Sequence, residues 1–171
     1  MSEVRACDGC TMCCKLLGVP ELDKPALAWC THCDIGVGCT VHAERPATCA
    51  AFTCGFLISP GLDERWRPSS CKIVLAFDEP AKRIYVHVER GDAWRKEPFY
   101  SQIKAWSAQI CRQGGQVLVW QGAEVIAVLP HKDVNLGRLD DDQRIDMLET
   151  FSPLGYEYDV IVRRKGDPGF G

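Results

Sequence analysis

Several features of ordinary proteins are missing from this chain, and each absence narrows its function. The N-terminus, MSEVRA, carries charge and no apolar segment of the kind a secretory signal needs. No stretch approaches the ~18 consecutive apolar residues of a membrane span; the best run, VIAVL at 125–129, stops at Pro130. A cytoplasmic location with no membrane association is therefore expected. Basic charge is scarce as well. Twenty Lys and Arg stand against 23 Asp and Glu, and the basic cluster Arg163-Arg164-Lys165 lies just before a Gly/Pro tail, so nucleic acid is not an expected partner. Nothing resembles a Ser-His-Asp triad, a P-loop or a dinucleotide fingerprint, which leaves no organic-cofactor site to expect. No internal repeat of 20–50 residues is evident.

What the chain has in excess is cysteine, and its distribution matters more than its total. Of eleven cysteines, Cys7, Cys10, Cys13, Cys14, Cys30, Cys33, Cys39, Cys49 and Cys54 all fall in the first 54 residues, about 17% of that segment and well above the ~8–10% that marks a cysteine scaffold. In a reducing compartment such thiols bind metal rather than pair as disulfides. The run CDGCTMCC, residues 7–14, sets four of them within eight positions. As a helix it would place Cys10, Cys13 and Cys14 on one face; as a knuckle it would aim the N–H groups around Gly9 at sulfur. The neighbours Cys13 and Cys14 diverge in either geometry, so one faces a second ion or the core. Downstream, Cys30-x2-Cys33, Cys39, Cys49 and Cys54 supply complementary ligands, as in zinc sites closed by CxxC elements from separate segments. Nine thiols exceed one four-coordinate site. Two centres with one cysteine spare is the leading reading, and one centre with several packing cysteines is the other.

The order CxxCxxCC, then a further cysteine, GCxV and ERPxxCxxF resembles the zinc- or iron-chelating CxxCxxCC family, the YkgJ-like cysteine-cluster proteins. The matching residues are Cys7, Cys10, Cys13, Cys14, Cys33, Gly38-Cys39, Val41, Glu44-Arg45-Pro46, Cys49 and Phe52, over roughly residues 7–54. The resemblance implies metal or iron–sulfur binding and no particular reaction, although a similar segment in flagellin lysine N-methylases points to one enzymatic use. His42 stands where the family usually has an aromatic, and Cys30 and Cys54 are extra to its pattern. Arg45 is a candidate to neutralise the cluster's negative charge, since a guanidinium can hydrogen-bond several sulfurs; the alternative is an exposed turn arginine before a helix at Pro46. Zinc leads over an iron–sulfur cluster, because Cys14 follows Cys13 at once where a bacterial ferredoxin run has a gap and then Cys-Pro.

The rest of the chain has ordinary periodicity. Residues 1–58 form the cysteine-rich metal-binding segment, 59–70 a connecting loop, 71–165 an α+β body and 166–171 a tail. IVLAF and IYVHV around DEPAKR predict one hairpin, and QVLVW and EVIAVL around Gly122 a second. Phe99, Ile103, Trp106 and Ile110 share a helix face that starts near Pro98 and stops at Gly114-Gly115. DDDQRIDMLETF reads as a short helix and YEYDVIVRR as a strand. The expected fold is α+β, a metal-stapled cysteine-rich segment packed on a small antiparallel sheet with one main helix. His32, inside a CxxC loop, is a weaker ligand candidate, and His42 weaker still; His87 and His131 read as surface or satisfied residues. Cys71 and Cys111, beside apolar runs, read as buried structural thiols. The expected function is metal binding as a structural or interaction module toward a protein or small-molecule partner that the residues do not identify; the alternative is an iron–sulfur protein in redox chemistry or beside a transferase.

Overall fold

The computed structural model describes residues 5–169. Its first part is built of short elements: helix α1 (Met12–Leu16), strands β1 (Cys33–Asp34) and β2 (Gly38–Cys39), and helices α2 (Ala47–Ala51), α3 (Gly55–Ile58) and α4 (Pro68–Cys71). None of these exceeds five residues. Helices so short are not stable on their own and hold only because something outside them does. α1 is fixed by Met12 and Leu16, one turn apart, which bury themselves on Val74 together with Cys10 and Phe52.

The body follows as β3 (Ile73–Asp78), β4 (Arg83–Val88), helix α5 (Phe99–Cys111), β5 (Gln116–Gln121), β6 (Glu124–Val128), β7 (Asp133–Arg138), β8 (Gln143–Ser152) and β9 (Gly155–Arg164). Strands β3 to β7 form one five-stranded sheet in sequence order. The expected hairpins are β3–β4, whose turn is held by Asp78 accepting from the Ala81 N–H, and β5–β6. Between them the sheet departs from expectation: β4 and β5 are parallel, so it is mixed rather than wholly antiparallel. A parallel pair needs a crossover, and α5 is that crossover.

Alternation along the strands sends two sets of side chains to opposite faces. Ile73, Leu75, Val86, Val88, Val117, Val119, Ile126 and Val128 meet α5 through Ile103 and meet Phe56, Leu62, Trp66 and Trp94. Leu118, Val125 and Ala127 face the other way and are capped by Ile145. Cover on both faces explains why QVLVW and EVIAV are continuous apolar runs rather than alternating ones. α5 sits as its periodicity predicts, with Phe99, Trp106 and Ile110 packed beside Ile103, and Gly114 ends it at φ +76.

Residues 143–152 are a strand, not the expected short helix: β8 pairs with β9 along its whole length. Arg144 and Arg163 both grip Asp146, at 3.0 and 2.8 Å. Arg144 and Asp146 are two apart, a spacing that shares a face in a strand and not in a helix. The hairpin is anchored at its base by Ile145, while Phe151, Leu154 and Tyr156 at its far end are exposed. Among the described residues, no helix is long and apolar enough to cross a membrane.

Candidate metal centre

The first cysteine turn is a consequence of Asp8-Gly9. Both residues take left-handed backbone angles, φ +47 and +76, which folds the chain back so that the Cys10 N–H donates to the Cys7 carbonyl at 2.8 Å. The turn lies against the β1–β2 hairpin: a Cβ on Gly9 would run into the Gly36 carbonyl oxygen, and the Gly36 N–H donates to Thr11 Oγ1 at 3.3 Å. Gly9→Ala therefore meets both a forbidden backbone angle and a backbone clash, and is expected to destabilise the chain by about 1–3 kcal/mol in a urea titration. An unchanged midpoint would mean that the turn and the hairpin do not touch.

α1 then carries the adjacent pair Cys13 and Cys14. The Cys14 N–H donates to Thr11 O at 3.0 Å, and the Cys14 carbonyl accepts from the Cys30 N–H at 3.0 Å, so Cys14 is joined to the second CxxC through the main chain. The Cys33 N–H donates to Cys30 O at 3.1 Å, and Cys33 lies opposite Cys39 in the β1–β2 register. The thiol of Cys14 sits between those of Cys13 and Cys33. Its hydrogen bond lowers the Cys13 thiol below the usual range and, with burial, drives Cys14 far above it. Burial, then the charge of Cys14, pushes Cys33 up to about 11. Cys49 is raised by burial and by the charges of Cys14, Cys30 and Cys39. These six thiols form one neighbourhood around Cys14.

A second group gathers around Cys10 and overlaps the first through Cys13 and Cys14. Burial raises Cys7, and the charge of Cys10 adds to it. Cys13 also feels Cys7, Cys10 and Cys54. Cys54, at the start of α3, is raised by burial and then by Cys10 and Cys7. Cys71, the last residue of α4, is pushed up to about 11 by burial, with Cys10 and Cys54 adding to it. The nine cysteines singled out in the sequence thus form two overlapping groups joined through Cys13 and Cys14, and Cys71 joins the one around Cys10. Cys111 stays apart, buried on α5 beside Ser107. All eleven cysteines are unpaired as disulfides. Among the described residues, no group of three or more His, Cys, Asp or Glu side chains is drawn close enough to hold an ion as the chain stands.

The basic residues around the thiols differ from the expected one. The Arg45 guanidinium turns onto His42, donating to its carbonyl at 2.8 Å. The cation that acts on the Cys14 thiol is Lys24, which is 8% exposed. Its Nζ donates to the carbonyls of Lys15, Leu17 and Pro25. Arg67 stands 3.8 Å from Asp8 and is stacked over Phe56, which Arg5 also contacts. His32 is partly exposed and offers its carbonyl to Thr40 at 2.9 Å; His42 and His131 are exposed. Compared with protein-family models, curated proteins and solved structures, the chain gives no match.

Proposed function

We propose that this chain is a metal-binding protein whose N-terminal cysteines hold zinc in two centres that brace the first third of the fold, which serves as a structural or interaction module. One observation carries the reading. Between residues 20 and 54 no apolar side chain is buried, yet the segment folds into turns, a hairpin and a helix with five cysteines among them. A stretch with no core of its own needs a cross-link, and in the absence of disulfides the chemistry available to clustered thiols is metal thiolate bonding. The residues that would hold the ions are drawn from Cys14, Cys30, Cys33, Cys39 and Cys49 for one centre and from Cys7, Cys10, Cys13 and Cys54, with Cys71 beside them, for the other. Zinc, when bound, would supply bonds that replace hydrophobic burial, worth about 10–16 kcal/mol in small structural motifs at neutral pH. The resemblance to the CxxCxxCC family supports the same assignment.

Elemental analysis of the protein purified without air tests it. About two zinc ions per chain is the expected result. A brown protein carrying iron and sulfide would replace zinc with an iron–sulfur cluster, and a chain that carries no metal would end the proposal.

A further inference from the structure

Cys33 and Cys39 face each other across the β1–β2 hairpin, and among the described residues they are the one cysteine pair that a strand ladder sets directly opposite. The bonding around them fixes the kind of pair they are. The Cys33 N–H is spent on the Cys30 carbonyl at 3.1 Å, while the Thr40 N–H donates to His32 O at 2.9 Å just outside the pair. Cys33 and Cys39 therefore occupy a non-hydrogen-bonded position of an antiparallel ladder, where Cα atoms stand ~4.5 Å apart and the two side chains project from one face. A disulfide joins cysteines whose Cα atoms are ~4.4–6.8 Å apart, so the backbone already has the spacing of a cross-linked pair. The hairpin is also held in register at both ends. At its base the Thr40 hydroxyl donates a second bond to the His32 carbonyl, at 3.0 Å. At its tip the Val37 N–H closes the turn on Asp34 O at 2.9 Å, and the Gly36 N–H reaches Thr11 Oγ1 at 3.3 Å. Both thiols are partly exposed, within reach of a small oxidant.

We propose that Cys33 and Cys39 are a redox-active dithiol that closes to a disulfide by exchange with a small disulfide oxidant. One thiolate of the pair attacks the S–S bond of the oxidant, forming a mixed disulfide and expelling one thiolate. The other cysteine then attacks the protein-side sulfur, forming the Cys33–Cys39 bond and expelling the second thiolate. The protein gives up two electrons and two protons, and the oxidant leaves as two thiols. The ladder sets this pair in place before the reaction, whereas a pairing of either cysteine with one outside the hairpin has no ladder to hold it. The proposal stands without any bound metal. An ion held by either sulfur would compete with closure, so oxidation and metal binding exclude each other at this pair.

Linkage mapping tests it. Full-length protein, freed of reductant, is incubated with excess oxidised glutathione, quenched by alkylation and cut before Asp34 and after Glu44, which leaves Cys33 and Cys39 on separate peptides unless a disulfide joins them. Mass spectrometry at early times is expected to show Cys33–Cys39 as the first and most abundant linkage. In Cys39→Ser that linkage is lost and glutathione remains on Cys33 as the mixed disulfide. The same oxidation in concentrated urea, where the ladder is gone, should spread the linkages over many pairs. Circular dichroism shows whether the variant has folded, and the wild-type map decides the question if it has not. A different first pair, above all Cys30–Cys33, overturns the proposal, as do hairpin thiols that stay reduced or a spread of linkages equal to that in urea. Metal content, measured on the protein before oxidation, is a separate readout, so the failure of this proposal and the failure of metal binding are told apart.

Discussion

Replacing Trp66 with alanine is expected to cost about 4 kcal/mol of stability. Trp66 is 1% exposed, although it lies in a stretch of turns between α3 and α4. Its ring meets Phe99 edge-on at 4.8 Å and Trp106 at 4.9 Å, both on α5, and its indole N–H donates to Gln102 on the same helix. Truncation would open a cavity between the helix and the connecting segment and strip Gln102 of its partner, so transfer, cavity and hydrogen-bond losses act together. Against a total of about 5–15 kcal/mol for a domain, that is a large fraction. Guanidinium unfolding followed by circular dichroism reads it. Trp66→Phe should recover part of the loss by refilling the aromatic space. A midpoint for Trp66→Ala equal to wild type would mean that α5 and the 59–70 segment are not packed as described.

The partners of Trp66 on α5 were out of reach of the sequence, where the tryptophan sits in a proline-bounded polar stretch with no periodicity to place it. Periodicity reaches only as far as an element makes its own case. α5 does so, because Phe99, Ile103, Trp106 and Ile110 repeat at helical spacing between Pro98 and Gly114. The β3–β4 and β5–β6 hairpins do so through their turns. β8 does not. Ile145, Leu148 and Phe151 recur every third residue behind three aspartates that mimic a helix start, and only pairing with residues 155–164 decides for strand. The parallel β4–β5 contact is likewise invisible locally, since the register of two hairpins is set by the crossover between them.

For the cysteines the division is similar. Their kind and spacing point to thiolate chemistry without any fold, but their grouping is a property of the fold. Cys13 and Cys14 are neighbours in the chain whose thiols also meet, while Cys71 joins Cys10 and Cys54 only because α4 ends beside them. Lys24 was equally hidden: a lysine after Leu22-Asp23 in a loop with two prolines carries no mark of burial. Arg45, chosen for its charge and its place in the pattern, spends its hydrogen bonds on His42 instead.

Acid should weaken the wild-type protein well before its carboxylates titrate, through His87. Its place on β4 sets it opposite Val74 on one side and Trp120 on the other, with the Trp120 ring stacked at 6.4 Å and Tyr85 at 6.3 Å. Val74 in turn lies under Met12 and Leu16, so docking of α1 on the sheet helps to keep water from this face. Burial lowers the imidazole from its ordinary 6.5 to about 4. A base whose pKa is depressed by folding binds protons more readily when unfolded, so stability is full above the unfolded value and falls as pH drops from 6.5 toward 4. The loss across that window is about 3 kcal/mol. The carboxylates held low by their partners, Glu21, Glu89, Asp63 and Asp159, contribute stability that is intact above their unfolded values of 4.5 and 3.8 and is lost only below them, outside the upper part of the imidazole window. Urea unfolding at pH 7, 6, 5 and 4.5 on wild type and His87→Leu isolates the imidazole, because acid release of any bound metal acts on both proteins. The difference between the two stabilities should shift steadily in favour of the leucine variant as pH falls, and parallel pH profiles would show that His87 reaches water in the folded chain.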